Sequence, residues 1–485
     1  MTPPRVAVVG GGLTGLTTAW HLRGDAEVVV HEAAGRPGGQ IRTLELEDGP
    51  LDVGADAVLA RQAAGPELLA ALGFGPDDLV HPTSARVLLW VDGVLRPLPT
   101  GTVFGVPTDL RSLAASRVLS PADLAVVASE VVRPRRWVPG DRSVADLVGE
   151  RFGQRVVERL VEPLLGGVYA GAATELSAQA TLPPVWRAAA EHRSLLRGLS
   201  AHRARTADDD RPVFVTVRGG LGRVVDRLAA ELGDRLRTGS VVRGVAPHDG
   251  RVAVHLDTGT EVVDAVVLAL PAPQAASLVT TGWPALAREL RGVSTASVGV
   301  VALAYDRADA PAVPAASGIL VPRGEGRLVK AVTLSAGKWP HHADRDRLVL
   351  RASVGRSDDD RALALDDEVL VERVDAEVRR ALGLRRPARE RHVVRWPGAL
   401  PQYAVGHHAK LDRMRHLLTQ GPPGLHLGGA ALDGVGLSAR AADAGRLAAE
   451  VRWALEQRPA RDELRPVRPA TGPEEPPGDR SGHRP

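Results

Sequence analysis

Arg5-Val6-Ala7-Val8-Val9-Gly10-Gly11-Gly12-Leu13-Thr14-Gly15 is the stretch that decides the fold. Its first five residues predict a buried strand, and the glycines after them have the G-x-G-x-x-G spacing of a strand-to-helix turn. Gly10 permits the tight turn, Gly12 lets backbone N–H groups approach a pyrophosphate, and Gly15 lets the next helix, read over Leu16 to Arg23, pack closely on the sheet. Spacing alone is weak evidence, because glycine turns are common. The context strengthens it. Val28-Val29-Val30 predicts a second strand, and Glu32 stands where a βαβ unit places its ribose acceptor. Ala33 and Ala34 follow that acid in place of arginine, so a free ribose 2′-hydroxyl is favoured over a 2′-phosphate, which argues against NADP.

The next residues choose between NAD and FAD. Glu32-Ala33-Ala34-Gly35-Arg36-Pro37-Gly38-Gly39-Gln40-Ile41-Arg42-Thr43 resembles the second half of the dinucleotide-binding signature of flavin amine oxidases and protoporphyrinogen oxidases. That resemblance implies FAD. The residues agree physically, since two glycines with Arg36 and Arg42 suit a backbone-plus-cation contact to phosphate.

The chain has 485 residues, 44% of them hydrophobic, enough for two or three domains with substantial cores. A formal charge of +3 is small for this length, and no groove-like cluster of basic and aromatic residues occurs, so no nucleic-acid partner is expected. Arg133-Pro134-Arg135-Arg136-Trp137 comes nearest and reads as a solvated loop, with peripheral membrane contact as the most it would support. Fifty-eight arginines stand against three lysines, Lys330, Lys338 and Lys410, a bias that reads as genomic composition. Cysteine is absent, which excludes disulfides, thiolate metal sites and a cysteinyl-linked flavin; the FAD is expected to be non-covalent, or His-linked at most. Without a signal peptide before the first strand or an apolar run long enough to span a bilayer, a cytoplasmic location is expected.

Periodicity outlines a discontinuous α/β architecture. Helical patterns dominate from Pro121 to His202, notably Val144 to Leu165 and Leu182 to Leu199. Strand-like patterns return at Pro212 to Val217, Val252 to Leu256 and Val262 to Leu270, with a helix over Leu221 to Leu232. A second insertion carries strands near Ser297 to Tyr305, Gly318 to Pro322, Leu328 to Leu334 and Leu348 to Val354, then a helix from Asp366 to Leu382. Leu425 to Ala430 and a helix from Ser438 to Leu455 close the first fold. The expected layout is an FAD-binding, Rossmann-like domain of amine-oxidase type over 1–80, 210–285 and 390–457. A substrate-binding domain of sheet plus helix covers 81–100 and 286–389, a helical insertion 101–209, and a Pro/Glu/Arg-rich disordered tail 458–485.

Five further blocks are similar to the soluble protoporphyrinogen and coproporphyrinogen oxidases: Asp52 to Ala57 with Arg61; Val161-Glu162-Pro163-Leu164-Leu165-Gly166-Gly167-Val168-Tyr169-Ala170-Gly171; Arg218-Gly219-Gly220-Leu221-Gly222; Arg395-Trp396-Pro397 with Leu400 to Tyr403; and Gly434-Val435-Gly436. The second and fourth are the most diagnostic. Carried over by position, the resemblance implies FAD contacts at Gly10, Gly11, Gly12, Leu13, Thr14, Gly15, Glu32, Ala33, Arg36, Gln40, Gly54, Ala55, Asp56, Ala57, Val242, Trp396, Leu437, Ser438 and Ala439. Val242 reads as strand core in either case, and core packing alone is the alternative for Trp396. Two departures stand out, since the family commonly has Gly-Pro-Asp-Ser at 54–57 and Ile-Pro-Asp at 437–439. The first removes a rigid proline and a hydroxyl and the second a carboxylate near the flavin, which leaves backbone contacts as the ones expected at both places.

With one complete dinucleotide fingerprint, the substrate itself is expected to reduce the flavin and molecular oxygen to reoxidise it. The family's reaction takes six electrons from a porphyrinogen in three two-electron rounds, releasing hydrogen peroxide each time. It asks the protein for orientation and an apolar slot, so no side chain is assigned a catalytic role. The tetrapyrrole's propionates call for bidentate cations, and Arg86 and Arg61 stand in blocks resembling propionate-side segments, with surface salt bridges as the alternative. Leu320 and Val321 read as strand core, with the macrocycle as their other partner. His341-His342 and His407-His408 are adjacent pairs that would point apart on a strand or helix, so no metal site is read there. The leading function is coproporphyrinogen III oxidation to coproporphyrin III in haem synthesis, with transient contact to a ferrochelatase. Protoporphyrinogen IX oxidation, amine oxidation and a non-enzymatic flavin-retaining binder are the alternatives.

Overall fold

The parallel sheet predicted from the opening residues is built from five distant segments. In the computed structural model its strands run in the order Leu236–Thr238, Glu27–Glu32, Arg5–Val9, Ala265–Ala269 and Leu425–Gly428, every neighbouring pair parallel. Both faces are covered, which is why Arg5–Val9 and Ala265–Ala269 are near-continuous apolar runs. Helices Leu13–Leu22, Gly222–Leu232 and Leu437–Glu456 pack on one face around Leu16, Leu22, Leu228 and Leu447. Ala272–Leu278, Pro284–Arg291 and His407–Gln420 cover the other. The structure describes residues 3–84, 86–133, 139–206, 211–310, 313–343 and 345–457. The tail over 458–485 and the motif residues Pro134 to Trp137 lie outside them.

A second sheet has seven strands in the order Glu390–Pro401, Thr295–Asp306, Arg347–Val354, Val329–Leu334, Gly318–Leu320, Val87–Val91 and Val94–Pro97. Its strands come from both sides of the helical insertion, joined by the parallel pair Gly318–Leu320 and Val87–Val91. One assignment changes here. Glu390–Pro401, placed by sequence with the dinucleotide fold, is instead the edge strand of this sheet and pairs along its length with Thr295–Asp306. The segment mixes charged and apolar residues and carries no pattern that selects one of the two sheets, and the long antiparallel ladder decides.

Two more readings are corrected by local geometry. The pattern over Val144 to Leu165 is not one helix: Val144–Phe152 stops at Gly153 (φ +88°), and a π-helical turn, Val157–Val161, leads into Glu162–Val168. Pro163 lacks the N–H that would continue a regular ladder into that segment. The strand expected over Pro212 to Val217 spans Phe214–Val217 and pairs antiparallel with Val58–Leu59 and Leu79–Val80, outside the main sheet. No helix among the described residues is long and apolar enough to cross a membrane.

Candidate functional site

The C-terminal ends of the parallel strands form the edge at which an α/β sheet takes its ligand. Gly10 turns there with φ +107°, and a Cβ on it would lie 2.6 Å from the Ala269 carbonyl oxygen. A Cβ on Gly15 would lie 2.0 Å from the Gly10 oxygen, so only glycine lets this helix sit so close. Gly12 differs: nothing lies within 4 Å of the Cβ it lacks. Behind that open space the helix Leu13–Leu22 begins with no side-chain cap, and the buried Thr14 hydroxyl has no partner. Uncapped N–H groups, an orphaned hydroxyl and an open glycine suit a pyrophosphate. Glu32 completes this end. Its carboxylate accepts from Gly11 N–H (2.7 Å) and Ala34 N–H (2.8 Å), which orients it with lone pairs to spare for ribose hydroxyls. Gly239 and Ser240 donate to the Ala34 and Glu32 carbonyls at 2.9 Å, bringing the strand that opens at Val242 to the same side.

Gly38 donates to the Gly11 carbonyl at 2.7 Å, folding the second half of the signature beside the first. Arg36 spends its guanidinium on the Pro37, Ile41 and Gly39 carbonyls, so it shapes this loop as well as supplying charge. Further along, Gln40 Nε2 donates to the Ala399 carbonyl (2.6 Å) and Trp396 Nε1 to the Val53 carbonyl (3.0 Å). A Cβ on Gly54 would lie 1.9 Å from the Gln40 oxygen. Residues 40, 54 and 396 therefore meet, although 342 positions separate the last two. The C-terminal block arrives there too. Tyr403 Oη donates to the Ala430 carbonyl (2.6 Å) and accepts from Gly434 N–H (2.8 Å), while Gln402 Nε2 donates to the Tyr169 carbonyl (2.7 Å). Helix Leu437–Glu456 starts after Gly436 without a side-chain cap. The Ser438 side chain is turned away from that opening: it is buried and donates to the Leu59 carbonyl (2.9 Å), so at 438 only the backbone is left for a ligand.

Beside this ring of segments lies the inner face of the seven-stranded sheet. On the outer face the cross-strand row Val301, Ala352, Val332, Ile319 and Leu88 is buried under helix Asp367–Leu382. On the inner face, Val300, Ser353, Ala331, Leu320 and Leu89 form one row, and Ala302, Arg351, Thr333, Gly318 and Val87 the next. Here the ends are core and the middle is not. Val300 packs on Leu46, Leu51 and Val53, and Leu89 belongs to the helical insertion's core, whereas Ser353, Ala331, Thr333 and Leu320 are only half-buried. Small side chains left half-buried in the middle of a sheet, with Leu320 against the helical insertion at one side, make a slot, and Val298 paired with Trp396 brings it to the residues 40–54–396 cluster. Leu320 thus faces the slot, whereas Val321 is core.

A charged knot ties the slot to the dinucleotide domain. Asp56 is held by Lys338 Nζ (2.7 Å) and Arg351 Nη1 (2.8 Å), and Arg351 Nη2 also donates to the Gly54 carbonyl (2.5 Å). Burial alone would raise the Asp56 pKa, but Lys338 and Arg351 outweigh it and hold the carboxyl far below its usual range. Asp52 behaves oppositely: burial pushes it up to about 6, despite hydrogen bonds from the Thr43 hydroxyl and Leu221 N–H. Lys338, Arg351, Asp52 and Tyr403 did not emerge as site residues from the sequence. Asp52 and Tyr403 stand in the family-like blocks without a role read for them, and the signal at Lys338 is that a chain with fifty-eight arginines keeps lysine there.

The two arginines expected at the propionates lie at the surface. Arg61 is exposed and donates to the Arg211 carbonyl (2.9 and 3.1 Å). Arg86 is exposed just before strand Val87–Val91, out of phase with slot-facing Val87 and Leu89. Its carbonyl, bonded to Ser317, joins two strands of the sheet. One histidine pair departs from the expectation: His341 and His342 sit in the single 3₁₀ turn Pro340–His342, and their ring centroids are 4.3 Å apart, whereas His407 and His408 open an α-helix with their rings 6.0 Å apart.

The sequence profile of the family described as flavin containing amine oxidoreductase matches residues 13–451. A coproporphyrinogen III oxidase of Mycobacterium bovis is 38% identical over 95% of this chain and all of its own length. The protoporphyrinogen oxidase of Homo sapiens is 29% identical over 89% of this chain and 95% of its own. A crystal structure from Exiguobacterium sp. 255-15, assigned as a protoporphyrinogen oxidase, superposes with a TM-score of 0.84 at 30% identity, covering 94% of this chain and all of that one. The chain belongs to the flavin containing amine oxidoreductases and, within them, to the protoporphyrinogen/coproporphyrinogen III oxidase group.

Proposed function

We propose that this protein is an FAD-dependent oxidase that converts coproporphyrinogen III to coproporphyrin III in haem synthesis, with oxygen as acceptor and hydrogen peroxide as by-product. The observation that carries the reading is the half-open inner face of the seven-stranded sheet, which ends at Trp396 and Gly54 beside the dinucleotide cradle. A flat slot floored by Ala331, Thr333, Ser353 and Leu320 suits a macrocycle better than a small amine.

Non-covalent FAD would be held by Gly10 to Gly15 and Glu32 at its nucleotide end, with Ala33, Arg36 and Val242 alongside. Gln40, Gly54 to Ala57, Trp396 and Leu437 to Ala439 would take the ring end. When bound, FAD supplies the two-electron acceptor that oxygen regenerates. The chain's own work is to orient and to exclude water. Leu320, Ala331 and Val298 offer apolar walls to the macrocycle, and the Asp56–Lys338–Arg351 knot fixes loop 54–57 against the sheet. Aromatisation drives each round, so no dedicated acid or base is assigned.

The test is kcat/KM for peroxide release on anaerobically prepared coproporphyrinogen III and protoporphyrinogen IX. A clear preference for the former supports the reading. Equal or reversed preference would transfer it to protoporphyrinogen IX, and oxidation of polyamines with none of porphyrinogens would replace it by amine oxidation.

A further inference from the structure

We propose that Lys330 and Arg356 form a buried receptor for one carboxylate arm of the porphyrinogen; this rests on the slot being the substrate site. Lys330 lies where the ladder is irregular: pairing passes from Val329 opposite Val354 to Ala331 opposite Ser353, leaving residue 330 unmatched. It is only 3% exposed, and among the described residues no carboxylate, carbonyl or hydroxyl accepts a hydrogen bond from its Nζ. Arg356 is 7% exposed beside it, and its Nη2 donates to the Val321 carbonyl at 3.2 Å.

Two adjacent cations out of water repel each other and lose hydration, an arrangement that needs an anion to offset it. The acids nearby act on Arg356 through their charge alone, and their hydrogen bonds go elsewhere. Glu162 (3.4 Å) and Asp358 engage Arg323, and Asp359 forks onto Arg361 at 2.7 Å. Burial first, and then the Arg356 charge, push the Lys330 pKa down to about 7, the response of an ammonium that lacks its counter-ion.

Position supplies the rest. Val321 N–H donates to the Lys330 carbonyl (2.9 Å), the neighbouring Leu320 and Ala331 are paired on the slot face, and Ser357 N–H donates to the Ala170 carbonyl (2.7 Å). The pair therefore stands where the slot meets the diagnostic 161–171 block. A carboxylate entering there takes charge-assisted hydrogen bonds from an ammonium and a guanidinium at once.

The experiment uses the FAD-loaded enzyme. Coproporphyrin III binding is measured by fluorescence, and KM and kcat are measured on coproporphyrinogen III. Lys330→Met is expected to weaken binding and raise KM by about tenfold or more, as loss of a buried charge-assisted contact does. Its kcat and bound FAD should stay unchanged, and Lys330→Arg should recover most of the affinity. Unchanged binding in Lys330→Met overturns the receptor, as does a fall in kcat with KM intact, which would move Lys330 to proton transfer. If the methionine variant fails to retain FAD, the wild type decides. Coproporphyrin III should bind at least about tenfold more tightly than its tetramethyl ester, and equal binding overturns the proposal. A wild type that neither binds coproporphyrin III nor oxidises its porphyrinogen overturns the functional reading itself, whereas binding indifferent to Lys330 removes only the receptor.

Discussion

The nucleotide cradle and the slot beside it are built from different materials. In the cradle the decisive atoms are backbone: Gly10, Gly15 and Gly54 each bring a carbonyl oxygen to within 1.9–2.6 Å of where a Cβ would stand. On the slot face the decisive atoms are at the ends of long side chains: Lys338, Arg351 and Asp56 in one knot, Lys330 and Arg356 in another pair. Backbone geometry tolerates no substitution but leaves a short, local spelling. Side-chain knots tolerate drift at each position, provided the partner drifts too, and leave no local spelling at all.

Substitutions that attack one material and spare the other would break this contrast. Gly15→Ala should have the largest effect. Its methyl meets the Gly10 carbonyl oxygen, so strand and helix must part, at a cost of about 4 kcal/mol or more with loss of bound flavin. Flavin absorbance of the purified protein checks it, and full occupancy would show that the turn is not rigid. Asp56→Asn should come next. It strands two partly buried cations and should cost about 3 kcal/mol in a denaturant titration, while leaving the glycine turn intact. Because the native Asp56 pKa lies below its unfolded value, its stabilisation is complete above about pH 4 and is lost as pH falls through the native pKa. The wild type should therefore lose stability in acid more steeply than the variant.

Asp52 tests the contrast from the opposite sign. Its native pKa, about 6, lies above the unfolded value. The folded chain keeps a proton that the unfolded chain has released, so this group's contribution falls as pH rises from about 4 to about 6 and stays low above that. Asp52→Asn can still accept from Thr43 and Leu221. It should remove that slope and stabilise the protein at pH 8 by up to about 3 kcal/mol, and an unchanged pH profile would show that Asp52 is ionised without penalty. Ser438→Ala should have the smallest effect, about 1 kcal/mol for one hydrogen bond to the Leu59 carbonyl, with flavin retained. Loss of flavin would mean that the hydroxyl, not the helix backbone, serves the ligand.

How much could be read in advance follows the same division. The turn at Gly10 to Gly15, the acid at Glu32 and most strands of both sheets are legible because each rests on contacts within about thirty residues, or on a period of two or 3.6. Residues 390–401, expected within the dinucleotide domain, form the edge strand of the second sheet; their mixed charged and apolar residues carry no period that selects a sheet. Arg86 and Arg61 were singled out from fifty-eight arginines by the blocks they stand in, and both lie at the surface. Lys338 and Lys330 passed unremarked as site residues, although lysine's rarity in this chain marked them.

By itself the sequence determined the flavin class of the cofactor and the parallel dinucleotide fold. Glycine's freedom and apolar periodicity are local properties, written in consecutive residues. Only the tertiary structure decided which face of the second sheet stays half-open, that Asp56 is clamped by two cations some 280 to 295 positions away, and that Lys330 is buried without an acid. Those facts depend on which segments the sheets bring together, and the strength of a charge depends on how much water and which partner it is left with, neither of which is spelled in neighbouring residues.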